Sequence, residues 1–86
     1  MARVWIPSLM RDLTGGRDVI AVEGKTVGAL IDALERRYPG VKSRLCREGK
    51  LDPGLSAHVD GRTARGLHEP VTEESEVQFL PAIAGG

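Results

Sequence analysis

Apolar positions along the chain alternate between strand and helix spacing. Val4-Trp5-Ile6, closed by Pro7, and Val19-Ile20-Ala21-Val22, closed by Glu23-Gly24, are short runs of β-branched and aromatic residues and read as the first two strands. Residues 7–17 between them are irregular, with Thr14-Gly15-Gly16 as a turn signal, so the pair is a hairpin with a long loop. The spacing then changes. Val27, Leu30, Ile31, Leu34 and Tyr38 recur every three or four residues and line one stripe of a helix. Thr26 stands where its hydroxyl can accept from a backbone N–H of the first turn. Asp32, Glu35, Arg36 and Arg37 fill the other face, and Pro39-Gly40 stops the helix. Val41 to Cys46 adds a further short turn of helix. Leu55-Ser56-Ala57-His58-Val59 alternates again, a half-buried strand ended by the Asp60-Gly61 turn. Leu67 to Val71 is a crossing loop or short strand, and Glu76 to Leu80 is the last strand. The order β-β-α-β-(β)-β packs one main helix against a mixed sheet of four to five strands, an α+β fold.

Composition narrows the function classes. Eighty-six residues make one domain, too small to enclose a large internal active site. Twelve basic and 12 acidic residues leave no net charge, whereas a nucleic-acid binder carries a basic excess on one face. Cys46 is the single cysteine, which rules out an internal disulfide and fits a reducing compartment. No apolar run approaches a membrane span, and Met1-Ala2-Arg3 enters a strand without a signal-peptide core. A soluble, cytoplasmic protein that binds neither membrane nor nucleic acid is expected.

No catalytic constellation accompanies the two histidines. His58 alternates with the apolar residues of its strand and reads as a solvent-facing polar residue, and His68 falls in a loop beside Glu69-Pro70. Cys46 follows Val41 and Leu45 at an apolar spacing, as a small buried side chain would. Gly15-Gly16 lacks the lysine and hydroxyl of a phosphate loop and does not precede the helix. No metal set is present. The reactive group that remains is the α-carboxylate of Gly86. Phe79-Leu80-Pro81-Ala82-Ile83 runs straight into Ala84-Gly85-Gly86, and glycine's missing Cβ lets a terminal pair thread a channel too narrow for other residues. Residues 82–86 are expected to form a flexible tail on a domain spanning 1–81, and fully extended they reach at most about 17 Å.

Four stretches together resemble the ubiquitin-like sulfur-carrier family (MoaD/ThiS): Thr26-Val27-Gly28-Ala29-Leu30-Ile31-Asp32-Ala33-Leu34, Arg37-Tyr38-Pro39-Gly40, Val59-Asp60-Gly61, and Val77 through Gly86. The opening Ile6-Pro7-Ser8-Leu9-Met10-Arg11 with Thr14-Gly15-Gly16 is similar, more narrowly, to the cysteine-biosynthesis carriers of the CysO type. The resemblance implies a β-grasp fold, with the first and last strands parallel at the sheet centre. It also implies a protein co-substrate rather than an enzyme. A ubiquitin-activating-like adenylyltransferase/sulfurtransferase would couple Gly86 to AMP, consuming ATP, and exchange AMP for sulfur to leave a thiocarboxylate. The chain itself would bind no cofactor. In CysO-like systems the acceptor is an aminoacrylate on a pyridoxal-phosphate enzyme of the cysteine synthase type. Two alternatives share the activation step: the small subunit of molybdopterin synthase, and a ubiquitin-like modifier joined to lysines. Ala84 and Gly85 would thread the partner's active site. With Val4, Ile6, Val77 and Phe79 against the helix, alternation turns Trp5 and Leu80 outward, and these two with Ile83 near the tail root form a candidate docking surface.

Overall fold

In a computed structural model, which describes residues 1–82, a five-stranded mixed sheet carries one main helix on one face. Strands β1 (Ala2–Trp5), β2 (Val19–Val22), β5 (Leu55–Val59), β6 (Arg62–Thr63) and β7 (Glu76–Pro81) are ordered β2-β1-β7-β5-β6. β7 lies parallel to β1, with Val4 opposite Val77, and antiparallel to β5, with Ala57 opposite Phe79. The first and last strands are thus paired in parallel at the centre, as the β-grasp arrangement requires. Proline at position 7 has no N–H to donate to a ladder. Beyond it the chain makes a 3-10 turn at Ser8–Met10.

Helix α1 (Val27–Arg37) begins where the sequence places it. The Thr26 hydroxyl accepts from the Ala29 N–H at 3.1 Å. Two further amides of the first turn, which no helix can satisfy internally, donate to the loop preceding β7: Val27 to the Glu69 carbonyl and Gly28 to the Leu67 carbonyl, at 3.0 and 2.9 Å. The stripe Val27, Leu30, Ile31 and Leu34 is at most 1% exposed. It packs in a core with Val4, Ile20, Val22, Ala57, Val59, Val77 and Phe79. A second helix, α2 (Val41–Leu45), follows. Its entry is held by the Glu35 carboxylate, which accepts from the Gly40 and Lys42 amides. On the edge strand β2, the Ala21 carbonyl accepts from the Arg37 guanidinium at 3.1 Å, which blunts an exposed edge.

The structure departs from the expected pattern in three places. Residues 46–51 form a small hairpin, β3 (Cys46–Arg47) with β4 (Lys50–Leu51), where the sequence predicts a helical turn through Cys46 and no element beyond it. It turns on Glu48 and Gly49, both at positive φ (54° and 76°), the geometry of a tight two-residue turn. The additional strand of the main sheet is β6 rather than Leu67–Val71. The left-handed Asp60-Gly61 turn returns the chain at once along β5, while 67–71 makes a single bridge between Thr26 and Pro70. Cys46 is half-buried rather than buried, because α2 ends at Leu45 and Cys46 opens the hairpin. No helix among the described residues is long and apolar enough to cross a membrane.

Candidate functional site

β7 is the last strand among the described residues, and its end has a single neighbour. β1 accompanies β7 only as far as Trp5 opposite Gln78, so Phe79 to Pro81 pair with β5 alone. The Ala82 N–H donates to the Gly54 carbonyl at 2.9 Å. Ala82, assigned by sequence to the tail, is therefore still tied to the sheet. Ile83, Ala84, Gly85 and Gly86 lie outside the described residues.

The sheet face opposite the helix is open, and its side chains follow from strand alternation. Val4, Ile6, Val77 and Phe79 point to the core and are at most 5% exposed, whereas Trp5 and Leu80 point away and are 38% and 45% exposed. The register sets Val19, Trp5, Gln78, His58 and Thr63 in one row across the five strands. Leu80 pairs with Ser56 in the next row toward the tail root. The loop 7–17 leaves the indole accessible.

The indole is fixed rather than free. Its Nε1–H donates to Glu76 Oε1 at 3.0 Å, and Arg3 Nη2 donates to Glu76 Oε2 at 2.7 Å. One carboxylate on β7 therefore orients two side chains of β1. The Arg3 and Glu76 side chains are 57% and 42% exposed, so their ion pair contributes little to stability and acts mainly on geometry. Glu76 is held in turn by its backbone: its N–H donates to Asp60 Oδ1 at 2.9 Å, and its carbonyl accepts from the Asp60 N–H at 2.9 Å. Glu76 went unrecognised in the sequence because the pair with Trp5 spans 71 positions, and only the parallel β1–β7 register brings them together.

The remaining chemistry-bearing residues stand apart from this face or lack a second catalytic group. His58 is on the open face, half-buried, with Nε2 2.7 Å from the Ser56 hydroxyl, and no carboxylate in hydrogen-bond contact orients its ring. His68 is exposed in the loop. Burial pushes the Cys46 thiol pKa up, and nearby Lys42 offsets this only partly. That is the reverse of an activated nucleophile. The Lys42 ammonium is held charged to higher pH by a 2.7 Å hydrogen bond to Asp32. Among the described residues no cluster of His, Cys, Asp and Glu could hold a metal ion. What the described surface offers is a strand end held at Ala82 by the Gly54 carbonyl, beside an oriented aromatic and an exposed leucine.

Comparison with known proteins agrees with this geometry. The model of the ThiS family matches residues 4–86. The chain is 37% identical to the sulfur carrier protein CysO of Mycobacterium tuberculosis, over 96% of each chain. It is 30% identical to small archaeal modifier protein 3 of Haloferax volcanii, over 71% of this chain and 70% of that one. Among solved structures, a chain of the Amycolatopsis orientalis BexX/CysO complex superposes with a TM-score of 0.91 at 35% identity, covering all of both chains.

Proposed function

The chain belongs to the ThiS family, and on that premise we propose that it carries sulfur on the α-carboxylate of Gly86. It is a ubiquitin-like sulfur carrier, a protein co-substrate of partner enzymes rather than an enzyme. The observation that carries the proposal is that the family match runs through the terminal Gly85-Gly86, which continue from a strand end tied to the sheet at Ala82. A carboxylate is a poor acyl donor, because expelling its oxygen is unfavourable. Coupling to AMP at the expense of ATP, with loss of pyrophosphate, gives a mixed anhydride. Hydrosulfide then displaces AMP and leaves a thiocarboxylate, whose ionised sulfur attacks an activated acceptor. The partner at the first step is a ubiquitin-activating-like adenylyltransferase, and the likeness to CysO carriers favours an acceptor enzyme of the pyridoxal-phosphate cysteine synthase type. Ala84 and Gly85 would thread the active site, while Trp5, Leu80 and Ile83 rest on the partner around its entrance.

Removing Gly86, or adding one residue after it, is expected to abolish ATP–pyrophosphate exchange by the activating enzyme without changing the melting temperature. Adenylation of the extended chain, untrimmed, would overturn the assignment. A second reading, a modifier joined to lysines, rests on the likeness to the archaeal modifier protein and uses the same activation step. It predicts Gly86 in isopeptide linkage to other proteins.

A further inference from the structure

The edge of β5 away from β7 carries an unassigned groove. β6 is only two residues long and pairs with His58 and Val59, which leaves the first half of β5 without a strand on that side. The space of about 420 Å³ beside Leu55, Ser56 and Ala57 is bounded by the β3–β4 hairpin and residues 64–68. Leu51, Leu55, Ala57, Ala64 and Leu67 supply aliphatic walls. The charged and titratable groups lining it are Lys50, Arg65 and His68, all exposed. Among the described residues no ion pair engages any of the three side chains. Neighbouring carboxylates are turned to other uses. Asp52 pairs with Arg47 and accepts from the Gly54 amide, and Glu69 accepts from the Arg65 amide. Two other grooves mix charges: Asp32, Glu35 and Glu48 with Lys42 in one, Glu23, Asp32 and Glu73 with Lys25 and Arg36 in the other. Of the three, this groove alone sets basic side chains beside aliphatic ones with no carboxylate in its lining.

Its position gives it a use. Gly54, whose carbonyl holds Ala82, directly precedes the Leu55 that lines the groove, so an enzyme that has drawn in the tail stands over this edge. We propose that the groove is a docking site for the activating enzyme, receiving from it a segment that bears an aliphatic side chain next to a carboxylate. The aliphatic group fills the Leu51–Leu55–Leu67 floor and the carboxylate sits among Lys50, Arg65 and His68. The activating enzyme is chosen because sulfur transfer and lysine conjugation both require it. The inference rests on the function proposed above.

The test is ATP–pyrophosphate exchange with the activating enzyme, titrating wild-type chain, the double variant Lys50→Glu/Arg65→Glu, the conservative Lys50→Arg, and Arg36→Glu on the exposed face of α1 as a charge control. Charges at the edge of an interface act on association and its salt dependence. The double variant is therefore expected to raise the KM for the chain about tenfold, with kcat within about twofold and a shallower dependence of kcat/KM on salt. Lys50→Arg and Arg36→Glu should follow wild type. Among the described residues the replaced side chains make no hydrogen bond or ion pair, and an unchanged melting temperature checks that the variants fold. Wild-type exchange together with an unaltered KM in the double variant would overturn the groove alone. Absence of exchange with wild-type chain would overturn the functional reading and the groove with it.

Discussion

On the helix side, β1 and its continuation with β7 present Val4, Ile6, Val77 and Phe79, each at most 5% exposed. On the other side the same two strands present Arg3, Trp5, Glu76, Gln78 and Leu80, with Trp5 38% and Leu80 45% exposed. Adjacent residues a single peptide apart thus serve different ends. The covered face takes part in the hydrophobic core that holds the small domain together. On the open face the indole is clamped by Glu76, which limits the side-chain entropy lost when a partner covers it. A chain of this size has little stability in excess, and strand alternation lets it keep large apolar groups uncovered without drawing them from the core.

Breaking the covered side should have the largest effect. Leu34, fully buried under the sheet, is expected to lose about 2–5 kcal/mol on replacement by alanine, the transfer loss plus the cavity left behind. Chemical denaturation should show a midpoint far below wild type, with adenylation lost through unfolding alone. A midpoint within experimental scatter of wild type would show that the helix does not close the core as described.

The open side should respond in the opposite sense. Trp5→Ala and Leu80→Ala are each expected to change unfolding free energy by less than about 1 kcal/mol, while raising the dissociation constant for the activating enzyme about tenfold. Partner affinity unchanged in both variants would remove the docking role from this face. Glu76→Gln sharpens the point, since the amide oxygen can still accept from the indole while the ion pair to Arg3 is lost. A loss of partner affinity of about two- to threefold, with stability within about 0.5 kcal/mol of wild type, is expected. A loss as large as that of Trp5→Ala would mean that Glu76 meets the partner directly.

The smallest effect belongs to the helix-side thiol. Because burial raises the Cys46 pKa, the folded state favours the protonated form. Its contribution to stability is present below the unfolded-state pKa and is lost as pH rises through the folded one. Alkylation of the folded chain by iodoacetamide should therefore titrate at a higher pH than that of the denatured chain. The reverse order would place Cys46 in an activating environment and reopen a chemical role for it.

Much of this division can be read from sequence, and the part that cannot has a physical cause. The α1 stripe and its Thr26 cap are local, set by residues within one or two turns, and the structure reproduces both. Alternation in β1 and β7 likewise turns Trp5 and Leu80 outward. The β3–β4 hairpin escapes notice because two residues per strand carry no readable period, and its turn needs Glu48 at positive φ, which a non-glycine residue rarely adopts. The half-burial of Cys46 follows from the same hairpin, which it opens. The Trp5–Glu76 clamp joins residues 71 positions apart, so it exists only once the β1–β7 register is fixed, while the groove around Lys50, Arg65 and His68 depends on the unread β3–β4 hairpin. Gly86, Gly85, Ala84 and Ile83 were legible only as composition and resemblance.

Sulfur carried on Gly86 would be visible in the intact mass of the chain. The chain purified from its native host under non-reducing conditions should include a species in which one oxygen is replaced by sulfur, with fragmentation placing the change on Gly86. Gly86 found in isopeptide linkage to protein lysines, with no thiocarboxylate detectable, would overturn sulfur carriage on Gly86.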